Sequence, residues 1–304
     1  ATDLVVLDAL PDLSYVAAAA SPRPGLLQRS TAGLIVDRSL WDAVVQIDPA
    51  APFHAVARVK ESGLPLVYVN QLGGQDELVF DAASFVLNED CSLPVQLPAW
   101  QEAVVTTHWS RENGRWVCAK GERALVEEDD EAIYQALMLG LRDYVEKNRF
   151  PGVVLGLSGG IDSALCAAIA VDALGPEKVH CVMLPYKYTS SESVSDAEAC
   201  AKALGVRYDT VPISAPVEGF MESLAPMFTG TNSDTTEENL QSRTRGVILM
   251  AISNKFGHMV VTTGNKSEVS VGYATLYGDM NGGYNPIKDL YKTKVFELCR
   301  WRNA

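Results

Sequence analysis

The sequence lacks any apolar run approaching the ~20 residues that span a bilayer, and it does not start with a basic segment followed by a hydrophobic signal core. No membrane partner and a cytoplasmic location are therefore expected. Cations are also in deficit: 25 Lys and Arg against 38 Asp and Glu leave a formal charge of −13. Binding to a nucleic-acid backbone rests on cations that neutralise phosphates, so nucleic acid is excluded as a partner and any nucleotide ligand is a small molecule. The six cysteines (Cys91, Cys118, Cys166, Cys181, Cys200 and Cys299) lie far apart, with no CxxC or Cys/His spacing. That pattern argues against zinc sites and disulfide frameworks. Cys166 and Cys181, inside apolar runs, read as small core residues. Internal repeats and extended low-complexity segments are absent as well.

What is present suffices for a full core: 304 residues, 47% of them hydrophobic, are enough for one large or two ordinary domains, and two is the better fit. Short β-branched runs between turn residues predict buried strands at Asp3–Leu7, Leu64–Asn70 and Leu78–Leu87. Arg111–Glu131 ("RENGRWVCAKGERALVEEDDE") is charged and rich in turn residues, the pattern of a linker, which places a domain boundary near Val126. Beyond it, strands and helices alternate. Helices are predicted at Glu131–Lys147, Ser163–Leu174, Val194–Leu204 and Glu237–Asn254, and strands at Gly152–Leu157, Val179–Leu184, Tyr208–Ile213 and His258–Thr263. Such alternation implies a parallel sheet covered on both faces, with ligands beyond the carboxyl ends of the strands.

One loop stands out. "SGGIDS" (Ser158–Ser163) falls where a predicted strand ends and a helix begins, so backbone amides and the positive end of the helix converge on one spot and attract an anion. Gly159 and Gly160 permit tight turning, and the Ser158 and Ser163 hydroxyls can donate to phosphate oxygens. A Walker loop would end in Gly-Lys-Ser/Thr; here Asp162 stands near the place of the lysine. A carboxylate beside a polyphosphate repels it unless a divalent cation lies between, and Mg²⁺ typically takes one or two carboxylates plus substrate phosphates. The loop thus suits a Mg-bound pyrophosphate. The plainer alternative is a Gly-Gly turn with Asp162 and Ser163 as helix caps.

"SGGIDS" resembles the pyrophosphate loop of the adenylating ATP pyrophosphatases, a group that includes NAD synthetase, GMP synthetase and asparagine synthetase. Three further segments, Glu238–Gly257, Val260–Asp279 and Asn285–Trp301, resemble NAD synthetase in order and spacing, so the resemblance covers most of the chain after Val126. It implies an α/β fold: a parallel-sheet, Rossmann-like synthetase domain of the adenine nucleotide α hydrolase type over residues 127–304. It also implies ATP as a substrate, Mg²⁺, and ATP contacts from Gly156, Leu157, Ser158, Gly159, Gly160, Ile161, Asp162, Ser163, Thr263 and Lys292. Asp162 would be the catalytic residue and, with Glu268, a metal ligand. Asn239, Arg243, Glu268 and Lys288 would meet the second substrate, deamido-NAD.

Independently of the resemblance, Asn239 and Arg243 are spaced i,i+4 and leave one helix face, and Arg243 can grip a phosphate bidentately. Thr263 follows an apolar strand at its carboxyl end, where a parallel sheet keeps its ligands. On spacing alone, Asn239 is equally a surface cap, Arg243 a solvated cation, Glu268 an exposed loop acid, and Lys288 and Lys292 solvated lysines. "LPYKYTSSES" (Leu184–Ser193) resembles a segment that lines ATP, although its hydroxyls equally suit a helix cap.

The amino-terminal part, "LPLVYVNQLGGQDELVFDAASFVLN" (Leu64–Asn88) above all, resembles a nitrilase-like glutaminase domain, so residues 1–126 read as an α/β sandwich of that kind. That family hydrolyses glutamine with a Glu, Lys and Cys triad. Here the first such residues are Lys60, Glu61 and Cys91, and in "LIVDRSLW" (Leu34–Trp41) Val36 stands where the cysteine belongs. The domain is therefore expected to be incomplete: either degenerate or, as the abrupt run Ala17–Ser30 suggests, missing stretches of the natural molecule. The expected reaction is adenylation of deamido-NAD followed by attack of ammonia, drawn from glutamine in the intact family enzyme. A homodimer or larger homo-oligomer is expected too. Another adenylating amidotransferase such as GMP synthetase, or a nucleotide-binding protein without catalysis, are the rival readings.

Overall fold

The computed structural model describes Leu4–Leu7, Leu27–Ser30, Gly33–Val36 and the chain from Phe53 to Ala304. The expectations concerning Asp3, residues 17–26 and residues 37–41 lie outside the described residues. Two compact units form: one takes the chain up to Gly73 and Val79–Glu128, the other Gly74–Leu78 with Asp129–Ala304.

In the first unit β1 (Leu4–Leu7) pairs in parallel with Val104–Thr107, and β2 (Leu27–Ser30) pairs antiparallel with β3 (Gly33–Val36). α1 (Phe53–Ser62) leads to β4 (Leu66–Tyr68), then a hairpin, β5 (Leu72–Gln75) and β6 (Leu78–Asp81), whose tip belongs to the second unit. β7 (Phe85–Leu87) lies between β4 and β8 (Val95–Gln96), antiparallel to both. Side chains on β7 alternate as the strand period requires: Phe85 and Leu87 pack with Val56 and Val59 of α1, whereas Val86 packs with Leu97 and Trp109.

Two expectations fail here. The single strand Leu78–Leu87 is in fact two, broken where Ala82 and Ala83 take φ of 62° and 48°, a left-handed conformation that ends a strand. The linker expected at Arg111–Glu131 begins as a hairpin. After β9 (Val104–Thr107), β10 (Trp109–Glu112) and β11 (Arg115–Cys118) pair antiparallel across Asn113-Gly114, both residues at positive φ, the geometry that favours Asn-Gly in two-residue turns.

The second unit opens with α2 (Asp129–Lys147) and continues through β12 (Val153–Gly156), α3 (Ile161–Leu174), β13 (Val179–Met183), α4 (Ser191–Leu204) and β14 (Arg207–Thr210). α5 (Ser214–Leu224), α6 (Thr235–Phe256), β15 (Met259–Val261), α7 (Lys266–Val271) and α8 (Lys292–Asn303) complete it. The four strands form one parallel sheet in the order β14-β13-β12-β15. Apolar residues alternate through it: Leu155 and Cys181 face the cluster built with Leu165, Ile169 and Leu298, while Val154, Val182 and Val260 face Ile213 and Val217. The result is a helix–sheet–helix sandwich, a Rossmann-like parallel-sheet domain. Among the described residues no helix is long and apolar enough to cross a membrane.

Local chemistry sets the helix ends. α6 starts at a capping box in which Asp234 Oδ1 accepts from Thr236 N at 2.8 Å and Glu237 Oε2 accepts from Asp234 N at 2.9 Å. It stops at Gly257 in the left-handed conformation. Ser190 caps α4, whose first residue, Ser191, lies three residues ahead of the expected start. The chain builds β12, β13 and β14 to one side and then returns to place β15 on the other flank of β12. That reversal opens a crevice at the carboxyl ends of β12 and β15.

Candidate active site

The loop after β12 enters this crevice. Gly159 has φ 82°, and a Cβ on it would run into the backbone of Ser193 on α4, so only glycine fits. Gly160 is the N-cap of α3 and no side chain caps the helix. The capping alternative for Asp162 and Ser163 is thereby overturned. The helix N-terminus, where unpaired amides and the dipole favour an anion, is left to an outside acceptor. Ser163 is buried and braces the loop: its hydroxyl donates to Gly160 O at 2.9 Å and accepts from Ser158 N at 3.2 Å. Ser158, which is exposed, is the hydroxyl of the two open to a ligand.

Asp162 bonds to other elements rather than capping its own helix. Its Oδ2 pairs with Lys292 Nζ at the start of α8, and its Oδ1 accepts from Asn265 Nδ2 at 3.0 Å. Thus the loop lacks a base only in sequence; the fold brings one from 130 residues away. Lys292 Nζ also lies 5.7 Å from the Phe296 ring centroid, within reach of a cation–π attraction. Asn265 is buried and closes a second circuit as the N-cap of α7: its Oδ1 accepts from Glu268 N and its own N donates to Glu268 Oε2, both at 3.0 Å. One asparagine therefore ties together the two carboxylates that the sequence singles out.

Two adjoining cavities share Thr262 and Asp279 in their walls; Glu268 lines the second, whereas Asp162, Lys292 and Asn265 line neither. The first is lined by Gly156–Ser158, by Val182–Leu184 at the end of β13, by Leu249 of α6 and by Thr263. Arg245 supplies its cation; the Nε donates to Leu184 O at 3.0 Å, and burial lowers the guanidinium pKa from its ordinary value. The second contains Glu268, Lys288, Tyr144 and Tyr284. Lys288 is held at 2.8 Å by Glu77 Oε1 from the hairpin tip.

Asn239 and Arg243 line neither cavity. Asn239 Oδ1 accepts from Thr275 Oγ1 at 3.0 Å, and Arg243 Nε donates to Leu276 O at 3.2 Å. Both therefore hold the loop that walls the site. In Leu184–Ser193, Ser190 Oγ is the helix cap and accepts from Ser193 N at 3.1 Å, while Thr189 reaches the first cavity.

Sequence reasoning misses Arg245, Asn265 and Glu77. Arg245 has a signal: residues 242, 245, 246 and 249 repeat at helical spacing and all line the first cavity, whereas 239 and 243 leave the neighbouring face. Asn265 has one too, since "NKSE" is a capping-box pattern. Nothing local marks Glu77.

A profile of the NAD synthase family matches residues 133–304. The chain belongs to the NAD synthase family. Its sequence is 60% identical over 248 residues to the glutamine-dependent NAD(+) synthetase of Rhodobacter capsulatus, covering 82% of this chain and 45% of that one. Among solved structures, glutamine-dependent NAD+ synthetase from Acinetobacter baumannii in complex with ADP superposes with a TM-score of 0.76 at 51% identity, over 81% of this chain and 46% of that one. The NH3-dependent NAD synthetase of Campylobacter jejuni, in complex with nitrate, gives 0.54 at 30% identity, over 59% of this chain and 75% of the other. The chain spans about half the length of the curated relatives it matches.

Two carboxylates joined through Asn265 are hard oxygen donors of the kind Mg²⁺ takes, and each keeps lone pairs beyond the bonds described. Among the described residues no three His, Cys, Asp or Glu side chains gather as a metal cage. A magnesium ion on Asp162 and Glu268 would therefore draw its other ligands from substrate phosphates and water, which fits the residues present.

Proposed function

We propose that the second unit of this chain is the synthetase domain of a glutamine-dependent NAD synthetase, making NAD, AMP and pyrophosphate from deamido-NAD, ATP and ammonia. The observation that carries the reading is the bonded group Asp162–Lys292–Asn265–Glu268 at an uncapped helix N-terminus whose preceding loop, Gly156–Ser158, lines the first cavity, with Glu268 lining the second. ATP takes the first cavity with its phosphates on Ser158–Asp162 and Lys292, and with Thr263 against it. The Acinetobacter baumannii relative is in complex with ADP, which supports an adenine nucleotide as a ligand of this chain. Deamido-NAD takes the second, with Glu268 and Lys288 at its walls and Asn239 and Arg243 acting through the loop they hold.

A carboxylate oxygen of the nicotinate attacks the α-phosphorus and the bond to pyrophosphate breaks; ammonia nitrogen then attacks the acyl carbon, loses a proton, and AMP leaves. The chain's contribution is electrostatic. The α3 dipole, the loop amides and Lys292 stabilise charge growing on the departing pyrophosphate, and Asp162 keeps Lys292 aimed. Asp162 and Glu268 would hold a magnesium ion, which would supply further neutralisation of phosphate charge.

The first unit is read as a nitrilase-like amidase half whose triad is not found. Exposed apolar side chains of the second unit, among them Val247, Tyr273, Leu276 and Tyr277, suit burial against a second copy in a homodimer or larger assembly. Six free cysteines accord with a reducing, cytoplasmic setting.

One assay tests the reading: pyrophosphate release with ATP, Mg²⁺ and ammonium salt, offering deamido-NAD, its nicotinate mononucleotide part, xanthosine monophosphate or no acceptor. Release with deamido-NAD alone is expected. Equal release with xanthosine monophosphate, or none with deamido-NAD, would overturn it. Glutamine is not expected to replace ammonium for a polypeptide of these residues, because residues 1–59 hold no Glu, Lys or Cys.

A further inference from the structure

The second cavity has an unusual charge balance. Four carboxylates line it, Asp76, Glu77, Glu268 and Asp279, and Lys288 is the one cation among its lining residues. An anionic ligand entering it must find that lysine, yet Lys288 is already paired with Glu77 at 2.8 Å. The bond to Lys288 in turn holds the Glu77 carboxyl below the usual carboxylate range.

Glu77 is not a stray surface acid. It sits in the two-residue turn of the β5–β6 hairpin, beside Asp76 at φ 52°, and the hairpin end is fastened to α2. Gly74 N donates to Asp143 Oδ2 at 2.8 Å, and Lys147, itself paired with Asp143 at 3.1 Å, donates to Gly74 O. Gly74 also packs so closely on the helix that a Cβ would lie 3.0 Å from Gly140 Cα. The backbone is thus pinned, while the Glu77 side chain stays 81% exposed and free to swing. The hairpin residues Gly74, Asp76 and Glu77 come from outside the stretch that the NAD synthase profile matches.

We propose that Glu77 is a specificity-determining residue for the second cavity: it occupies Lys288 in the empty site and yields it only to an anionic oxygen group of the entering dinucleotide, carboxylate or phosphate. A neutral ligand gains nothing by displacing Glu77 and meets the acidic wall unrelieved. The inference rests on the reading of the second cavity as the deamido-NAD site.

The test is calorimetric binding of deamido-NAD and of NAD to the full chain, its Glu77→Gln variant, Lys288→Met and the double variant. Exposed ion pairs are weak and screened by salt, so Glu77→Gln is expected to tighten deamido-NAD binding by only about two- to fivefold at low salt. The gain should vanish in the Lys288→Met background. A gain for deamido-NAD alone assigns Lys288 to the nicotinate carboxylate; an equal gain for NAD assigns it to a phosphate. Unchanged or weaker binding of deamido-NAD by Glu77→Gln, or a gain that persists without Lys288, overturns the proposal and leaves the functional reading intact. No binding of deamido-NAD to any form overturns both. Glu77 is exposed, so melting temperatures are expected to stay level.

Discussion

Asp162 and Asp172 leave opposite ends of α3, and each meets a cation 130 residues downstream, Lys292 at the start of α8 and Arg302 near its end. The helices run in the same direction, pinned together at both ends, yet the two pins differ in chemistry. Arg302 grips Asp172 with two parallel bonds, at 2.7 and 2.9 Å, and Tyr134 donates a third at 2.5 Å. Such a fork fixes geometry and leaves the carboxylate little capacity for anything else. Lys292 is a single point charge on a flexible stem, and the other partner of Asp162 is the neutral Asn265. The pin at the loop end therefore keeps hydrogen-bonding capacity that the far one has spent.

The most severe way to break this contrast is Asp162→Asn. The change keeps the shape, removes the charge that aims Lys292, and weakens the donor set for magnesium. Turnover is expected to fall by about 10²–10³-fold, the scale for losing one preorganised electrostatic contact, with circular dichroism and melting temperature nearly unchanged. Near-normal pyrophosphate release would remove the assignment.

That contrast also marks what a sequence can convey. β12 and α3 are legible because an apolar run, a Gly-Gly turn and a second apolar run each carry their own local signal; α6 is legible because its caps are written in residues beside it. The lysine facing Asp162 has no local signature, since it depends on where α8 docks, and only resemblance to a family points to it. α5 escapes notice because Pro216 and Gly219 weigh against a helix that tertiary packing of Val217 nevertheless sustains. The left-handed Ala82 and Ala83 have no residue-type signal at all, whereas Asn113-Gly114 does, and the charge around it is what makes the hairpin resemble a linker.

A smaller effect separates orientation from folding at Asn265. Asn265→Ala removes both the bond to Asp162 and the cap of α7, at a cost of about 0.5–2 kcal/mol for the cap. Asn265→Asp keeps an acceptor for Glu268 N but no longer donates to Asp162 and sets a like charge beside it. The expected result for Asn265→Asp is a loss of stability from the buried like charge and turnover per folded molecule down about 10–100-fold, the scale for a residue that orients a ligand set. If the alanine variant alone lost activity, in step with its stability, Asn265 would be a cap and nothing more.

The mildest prediction concerns the far pin. Burial alone would raise the pKa of Asp172, but the bonds from Arg302 and Tyr134 outweigh it and hold the carboxyl below the ordinary 3.8. The native state therefore releases this proton more readily than the unfolded chain does. Stability from the pin is present above pH 3.8 and is lost as pH falls through the lower native value. Asp172→Asn is expected to cost about 1–3 kcal/mol near pH 7, a gap that urea unfolding should find shrinking as pH drops below 3.8. Activity per folded molecule should stay level, because the fork leaves nothing for a substrate to use. Lost turnover at unchanged stability would erase the distinction between the two ends of α3 and make both of them part of the site.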